Sequence, residues 1–464
     1  MKLFGTDGIR GKAGSAPLEV ETVARVGAAL VRALQDKPKG LSPQTAPPKG
    51  LSPQTAPHGQ APRFVIGRDT RESGTWIEAA LARGLASEGA TVVSAGVVPT
   101  PAIAYLARTE GFDAGLVISA SHNPYEDNGI KVFSGSGAKI TEAVEATVEQ
   151  MVADLSWTVP AGPGVIEPQD LSSHYLEHLA LILDDAGPLA GSPIVVDCAN
   201  GATSAMAPAL LRSLGFDVKA IGVNPNGRNI NLNCGSTHLD GLSREVVGSG
   251  ARLGIAFDGD GDRALFIDHR GRIVDGDAVL LMGAIHLQEE GKLAGDAVVA
   301  TVMSNIGLEI ALRERGISLV RTAVGDKYVM EEMVKRGAAI GGEQSGHIIF
   351  SDHLFTGDGI ATALNVLRIM IESGKDLDDL ARALVTYPQV LVNVRVKQRT
   401  DLETVPAIAA TMRRVEEQLA GSGRLLVRYS GTEPLLRIML EGKDKNSIRS
   451  WADEIAGVVR EHLA

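Results

Sequence analysis

Along most of the chain, apolar runs of about four to six residues alternate with amphipathic stretches of roughly ten to eighteen, the rhythm of buried strands followed by helices packed across them. Three rounds can be read. In the first, Phe64-Val65-Ile66-Gly67, Thr91-Val92-Val93-Ser94 and Gly115 to Ile118 predict strands, with helices near 73–88 and 101–110 and a closing helix from Thr141 to Leu155. Pro193 to Asp197, Asp217 to Ile221 and Arg252 to Phe257 are the strands of the second. The third starts near Ile273, with strands at Ala297 to Thr301, Ser318 to Arg321 and Ala338 to Gly341 and a helix over 358–373. This alternation predicts βαβ units around largely parallel sheets. Beyond them, Val390 to Val396, Leu425 to Arg428 and Leu436 to Leu440 come with only two long helices, which predicts a smaller α+β domain. Val159-Pro160-Ala161-Gly162-Pro163-Gly164 reads as a linker of turn formers. The expected division is 1–155, 156–272, 273–374 and 375–464, since 464 residues are too many for one core.

One segment departs from the rhythm. Lys39 to Pro48 recurs almost unchanged as Lys49 to His58, and its Pro, Ser and Gln content cannot build a core, so an exposed mobile loop is expected there. A hydrophobic fraction of 44% is that of a globular protein, and a formal charge of −11 argues against broad binding to nucleic acid or anionic membranes. With two cysteines, Cys198 and Cys234, no disulfide framework holds the fold, and both are expected to be buried, inert thiols in a reducing compartment. No apolar run approaches the roughly 18 residues that span a bilayer, so the expected setting is cytoplasmic and soluble.

Four polar loops carry the candidate chemistry, and their spread along the chain implies a cleft between domains. Gly115 to Pro124 ends an apolar run in Ser119-Ala120-Ser121-His122-Asn123-Pro124, presenting the Ser121 hydroxyl on what reads as an exposed loop. By itself such a turn is as often a helix cap as a nucleophile site. Asp258-Gly259-Asp260-Gly261-Asp262-Arg263 adds three carboxylates at alternate positions, spaced to converge on a hard divalent cation. An EF-hand is excluded, because its sixth and twelfth positions would be Arg263 and His269. A dinucleotide fingerprint is excluded as well, because three carboxylates repel a pyrophosphate and Ala264 to Ile267 reads as a strand. The preferred reading is Mg²⁺ held by Asp258, Asp260 and Asp262, with an oxygen of phosphorylated Ser121 completing the set. Arg10 in Gly5 to Gly11, Lys131 in Asn128 to Lys131 and Arg263 beside the aspartates supply positive charge from Gly-rich loops, as phosphoryl transfer requires. His122 either orients the serine loop or serves structure. Lys131 and His347, the latter in Gly342-Glu343-Gln344-Ser345-Gly346-His347, are candidates to move the substrate hydroxyl proton, and a lysine in that role needs a lowered pKa. Arg428-Tyr429-Ser430-Gly431-Thr432 has the composition of a phosphate cradle.

These motifs, with Glu433-Pro434 closing the last, resemble those of the α-D-phosphohexomutases, in order and over the whole chain. The resemblance implies an α/β protein of four domains around a central cleft, three of similar mixed α/β topology and a smaller C-terminal α+β domain. It implies that Ser121 is the phosphorylated serine and that Ser121, Asp258, Asp260 and Asp262 ligate one Mg²⁺. Glu343 and Ser345 would take the sugar hydroxyls, while Arg263, Arg428, Ser430, Gly431, Thr432 and Arg437 complete the substrate contacts. Arg10, His122, Lys131 and His347 join Ser121 as the catalytic set. Within the family, Gln344 and the segment Val324 to Val329 are similar to the branch that interconverts glucosamine 6-phosphate and glucosamine 1-phosphate, towards UDP-N-acetylglucosamine and the cell wall. A hexose 1,6-bisphosphate is the implied activator, a phosphosugar the only implied partner, and the assembly a monomer or homodimer. The competing readings are a phosphoglucomutase or phosphomannomutase with the same machinery, a metal-dependent phosphatase, and a non-catalytic phosphosugar-binding protein.

Overall fold

The computed structural model describes residues 2–5, 7–35, 61–419, 421–430 and 434–463. The duplicated segment 39–58, together with Gly431 and Thr432, lies outside them. The chain forms two compact units, Met1–Met303 with Leu319–Ala383, and Ser304–Ser318 with Leu384–Ala464. Among the described residues, no helix is long and apolar enough to cross a membrane.

The larger unit contains three sheets built to one plan. In the first, the strands Thr91–Val97, Arg63–Arg68 and Ala114–Ile118 run parallel, as their apolar sequences predict, and Asp127–Ser134 returns antiparallel along Ala114–Ile118. Ile9–Lys12 then pairs antiparallel with that return strand, Ile9 opposite Ile130 and Arg10 opposite Gly129. In the second sheet Asp217–Ile221, Pro193–Asp197 and Leu253–Phe257 are parallel, and Ala264–Asp268 returns antiparallel. The third repeats the arrangement with Ala297–Thr301 parallel to Ile340–Gly342 and Ile348–Phe350 returning.

These return strands make the sheets mixed rather than largely parallel, and they correct the expected position of two basic residues. Arg10 and Lys131 stand on the strands Ile9–Lys12 and Asp127–Ser134, not on Gly-rich loops. Their glycines misled the pattern: Gly129 lies in the middle of a pairing, where a Cβ would meet the Ser119 carbonyl oxygen at 2.6 Å.

The helices Val20–Gln35 and Gly74–Ser87 bury their apolar faces on the first sheet, and their close approach depends on Gly84, whose added Cβ would lie 1.8 Å from the Ala24 carbonyl oxygen. The expected linker is anchored: Val159 is buried against Ala24 and Ala28, and the neighbouring Trp157 ring stacks under the Arg25 and Arg32 guanidiniums at 4.4 and 4.2 Å.

The smaller unit is an antiparallel sheet with Leu435–Gly442 between Gln389–Arg395 and Gly423–Tyr429. Leu436, Ile438 and Leu440 alternate onto the face covered by the helices Pro406–Leu419 and Lys445–Leu463, which buries the core. The α+β expectation for this region holds.

Candidate active site

Because each sheet turns back on itself after a parallel strand, the three turns 119–126, 258–263 and 343–347 carry the polar motifs of the larger unit. Ligands of open α/β sheets bind outside the carboxyl ends of the strands, and these turns occupy that place. The Ser121 loop and the aspartate loop meet back to back. A Cβ on Gly259 would lie 2.6 Å from the Ser121 carbonyl oxygen, so glycine is what lets the two backbones touch.

Ser121 is buried, with 1% of its surface exposed, which corrects the expectation of an exposed loop. Its backbone is in the left-handed region at φ 54°, a conformation that costs a non-glycine residue about 1 kcal/mol. In return, the Ser121 hydroxyl donates to Asp258 Oδ2 at 2.6 Å and lies 3.2 Å from His122 Nδ1. Burial, with Arg263 and Arg10 nearby, lowers the His122 imidazole to about 4, so it is neutral near pH 7.

The Asp258, Asp260 and Asp262 carboxylates converge, with one oxygen of each within 4.8 Å of the others, and all three are buried. Asp260 Oδ2 accepts from the Thr100 hydroxyl at 2.5 Å and from Lys131 Nζ at 2.9 Å, and Asp262 Oδ2 accepts from the same amine at 2.9 Å. The remaining oxygens, Asp260 Oδ1 and Asp262 Oδ1, are buried without a hydrogen-bond partner among the described residues. Buried carboxylate oxygens left in this state fit a hard cation with oxygen ligands. Burial beside Asp262 and Asp260 holds the Asp258 carboxyl well above the usual range. Asp262 is also desolvated, yet Lys131, His347 and Arg263 hold it below that range.

Lys131 departs from the expectation for a proton-accepting lysine. Burial by itself would depress its pKa, but Asp260, Asp262 and Asp7 hold it well above the usual value. Held among three carboxylates, it favours the charged form. From it a ladder of opposite charges runs on, Lys131 to Asp7 at 3.1 Å and Asp7 and Asp326 both to Lys139, and the His347 ring stands at its end with Nε2 3.6 Å from Asp326. Arg10 joins through Asp7 at 2.6 Å.

This ladder borders a cavity of about 560 Å³ lined by Asp7, Arg10, His122, Asp262, Arg263, Asp326, Glu343 and His347. A neighbouring cavity of about 490 Å³ shares His122, Arg263 and Glu343 and adds Asp275, Gln344 and Ser345. The Gln344 amide donates to Asp275 Oδ2 at 3.0 Å, and Gly325 N–H donates to Glu343 Oε1 at 3.3 Å. The structure therefore gathers Ser121, His122, Lys131, Arg10, Asp258, Asp260, Asp262, Arg263, Glu343, Ser345 and His347 in one region.

In the smaller unit, Arg428 and Arg437 stand directly opposite each other on adjacent strands. Ser430 is buried, with its hydroxyl 3.4 Å from Arg437 Nη2 and its carbonyl accepting from Arg399. Both cysteine thiols are pushed up to about 12 by burial, although Cys234 is only half-buried rather than fully so.

Thr100, Lys139 and Asp275 belong to this region but carried no signal of their own in sequence, and Asp7 and Asp326 lie in motifs, Gly5 to Gly11 and Val324 to Val329, where neither was given a role. A second convergent group is His286 with Glu290 and Glu372: His286 Nε2 is 3.1 Å from Glu372, and Lys292 and Arg368 approach the two acids.

Family models for phosphoglucomutase/phosphomannomutase match the chain in four places: alpha/beta/alpha domain I at 50–158, domain II at 173–271, domain III at 275–387 and the C-terminal domain at 391–458. Over 464 residues the chain is 49% identical to the phosphoglucosamine mutase of Solibacter usitatus, covering 99% of each. Its fold superimposes on a phosphoglucomutase/phosphomannomutase family protein from Burkholderia thailandensis with a TM-score of 0.76 at 23% identity, covering 98% and 97% of the two chains. The Aspergillus fumigatus N-acetylphosphoglucosamine mutase, solved in complex with GlcNAc-6P and magnesium, gives 0.69 at 20% identity over 99% and 95%. With all four of its domain models matched in order and a relative of this identity along its whole length, the chain belongs to the phosphoglucomutase/phosphomannomutase family.

Proposed function

We propose that this enzyme interconverts glucosamine 6-phosphate and glucosamine 1-phosphate through a phosphorylated Ser121 and a bound bisphosphate. The observation that carries the reading is the buried Ser121 hydroxyl, 2.6 Å from Asp258 Oδ2 at the convergence of three aspartates. Identity to a relative named phosphoglucosamine mutase supports the sugar assignment.

Asp258, Asp260 and Asp262 would hold one Mg²⁺, which when bound neutralises charge on the phosphoryl oxygens. In the forward direction the phosphoserine P–O bond breaks and a bond forms from phosphorus to the sugar O1, whose proton must leave. His347, facing the cavity with Asp326 3.6 Å away, is our candidate to take that proton. Lys131, Arg10 and Arg263 supply the fixed positive charge around the moving group.

The resulting 1,6-bisphosphate turns so that Ser121 Oγ, giving up its proton, takes the 6-phosphoryl group as the P–O6 bond breaks, and O6 receives the proton held by His347 to release glucosamine 1-phosphate. A hexose 1,6-bisphosphate would recharge an enzyme that had lost its phosphate. His122, neutral and 3.2 Å from Ser121 Oγ, orients the serine between these steps. Glu343 and Ser345 bind the sugar hydroxyls, and Arg428, Ser430, Gly431, Thr432 and Arg437 bind the phosphate that is not transferring.

The test supplies glucosamine 6-phosphate, glucose 6-phosphate and mannose 6-phosphate in parallel and compares kcat/KM. A preference for glucosamine phosphate on the order of 30- to 150-fold is expected, matching roughly 2 to 3 kcal/mol of discrimination at one substituent. Equal or better constants for glucose or mannose phosphate would overturn the sugar assignment and leave the phosphoserine chemistry standing.

A further inference from the structure

The Ser121 loop is held from behind by a side chain outside the recognised motifs. Arg71 is 1% exposed, in the polar run Asp69-Thr70-Arg71 that follows the strand Arg63–Arg68. A guanidinium carries five N–H donors in a rigid fork, and here all five are engaged. Nε donates to Asp69 Oδ2 at 2.8 Å. Nη2 donates to the carbonyls of Ser121 and Asn123, each at 2.9 Å, and Nη1 to those of Pro124 and Asp127, the latter at 2.9 Å.

Asp69 extends the arrangement to the other side of the serine: the Ser119 hydroxyl donates to Asp69 Oδ2 at 2.6 Å while its oxygen accepts the Ser121 N–H at 2.8 Å. Asn231, from the segment between the second sheet's strands, completes it. Its amide donates to the same Ser121 and Asn123 carbonyls, at 2.9 and 3.1 Å.

We infer that Arg71, assisted by Asn231, is a positioning clamp that fixes the Ser121 peptide in its left-handed conformation and thereby aims Oγ at Asp258. The inference rests on Ser121 being the phosphoryl carrier. Without these bonds Ser121 would relax from φ 54° toward the ordinary region, because a non-glycine residue does not hold the left-handed conformation unaided. The hydroxyl would then swing off Asp258. Neither side chain lines the substrate cavities, so the effect falls on the transfer step rather than on sugar binding.

Lysine cannot replace the fork, since a single ammonium reaches at most three acceptors around one point. Arg71→Lys is therefore expected to lower kcat about 100-fold, the cost of misplacing a reacting atom by about 1 Å, with KM within twofold. Asn231→Ala removes only the two bonds from the far side, and kcat is expected to fall about tenfold with KM again unchanged. Hydrogen exchange of amides 119–127 should quicken in both variants.

Steady-state kinetics with glucosamine 6-phosphate, hydrogen exchange and intact-mass measurement of phosphate on Ser121 form one experiment, with Ser121→Ala as control. An inactive control alongside clamp variants of wild-type kcat and unchanged exchange would overturn the clamp alone. An active control would overturn the phosphoserine reading itself. If Arg71→Lys fails to fold, Asn231→Ala decides: a kcat loss with constant KM supports the clamp, and an unchanged kcat refutes it.

Discussion

Replacing Lys131 by methionine tests the charge balance on which the site is built. The amine sits 2.9 Å from Asp260, 2.9 Å from Asp262 and 3.1 Å from Asp7. At an effective dielectric of about 20, each contact near 3 Å is worth roughly 5 kcal/mol before the opposing cost of desolvation. Removing one member of a buried ionic group leaves the others uncompensated, which costs about 3 to 5 kcal/mol. The effect is present on both sides of the contact: the aspartates raise Lys131, and Lys131 lowers Asp7 and Asp262.

At about 2 °C per kcal/mol for a unit of this size, Lys131→Met in EDTA should melt roughly 6 to 10 °C below the wild type. Mg²⁺ should recover more of that loss in the variant than it adds to the wild type, because the aspartates have one less positive neighbour to share. Saturation at 100 times Kd corresponds to about 2.7 kcal/mol. Turnover should fall at least 100-fold even with Mg²⁺, the usual cost of removing a charge donor from a developing oxyanion. The measurement is calorimetry with and without Mg²⁺, paired with the coupled mutase assay. If the variant in EDTA melts within 1 °C of the wild type, Lys131 is not balancing the aspartates and the electrostatic argument is wrong.

Ser121→Ala should abolish turnover and the intact-mass phosphate adduct, while relieving none of the backbone strain. Asp260→Asn should weaken Mg²⁺ binding, read by calorimetric titration, with activity partly restored at high Mg²⁺; wild-type activity surviving thorough chelation would refute the metal assignment. His178, stacked on Tyr105 at 4.5 Å and lowered to about 4 chiefly by burial, has a folded pKa below its unfolded value near 6.5. The stability it contributes is complete above pH 6.5 and is lost as pH falls through 4, up to about 3 kcal/mol. His178→Phe should flatten that limb of a pH-dependent denaturation series, and an unchanged slope would count against the assignment. Cys198 and Cys234, both raised to about 12 by burial, should react with iodoacetamide at pH 8 far more slowly than a free thiol, as labelling followed by mass analysis can show.

Most parallel strands were legible because a run such as Pro193–Asp197 or Ala297–Thr301 is apolar on both faces and bounded by turn formers. Among the return strands, Ala264–Asp268 was legible from its apolar run, whereas Asp127–Ser134 was not. Asp127–Ser134 carries Asn128, Gly129 and Lys131, polar or conformationally free residues that local pattern assigns to a loop. They form a strand because the neighbours Ala114–Ile118 and Ile9–Lys12 offer ladder hydrogen bonds on both sides. Ser121 was assigned to the surface for a related reason, since a polar turn reads as exposed until another loop packs over it.

By itself the sequence determined the class of the fold, the order of its domains, the three alternating aspartates and the serine loop. Those features reside in local pattern and motif chemistry, which a single stretch of chain carries whole. The tertiary structure decided what each group does electrostatically and which distant residues support it. Lys131 favours its charged form because Asp7 arrives from one distant segment and Asp260 and Asp262 from another. Arg71 reaches the Ser121 loop across 50 residues of sequence, and Asn231 reaches it across 110. Burial, pKa and hydrogen-bond partnership are sums over neighbours in space, and no window along the chain contains those neighbours.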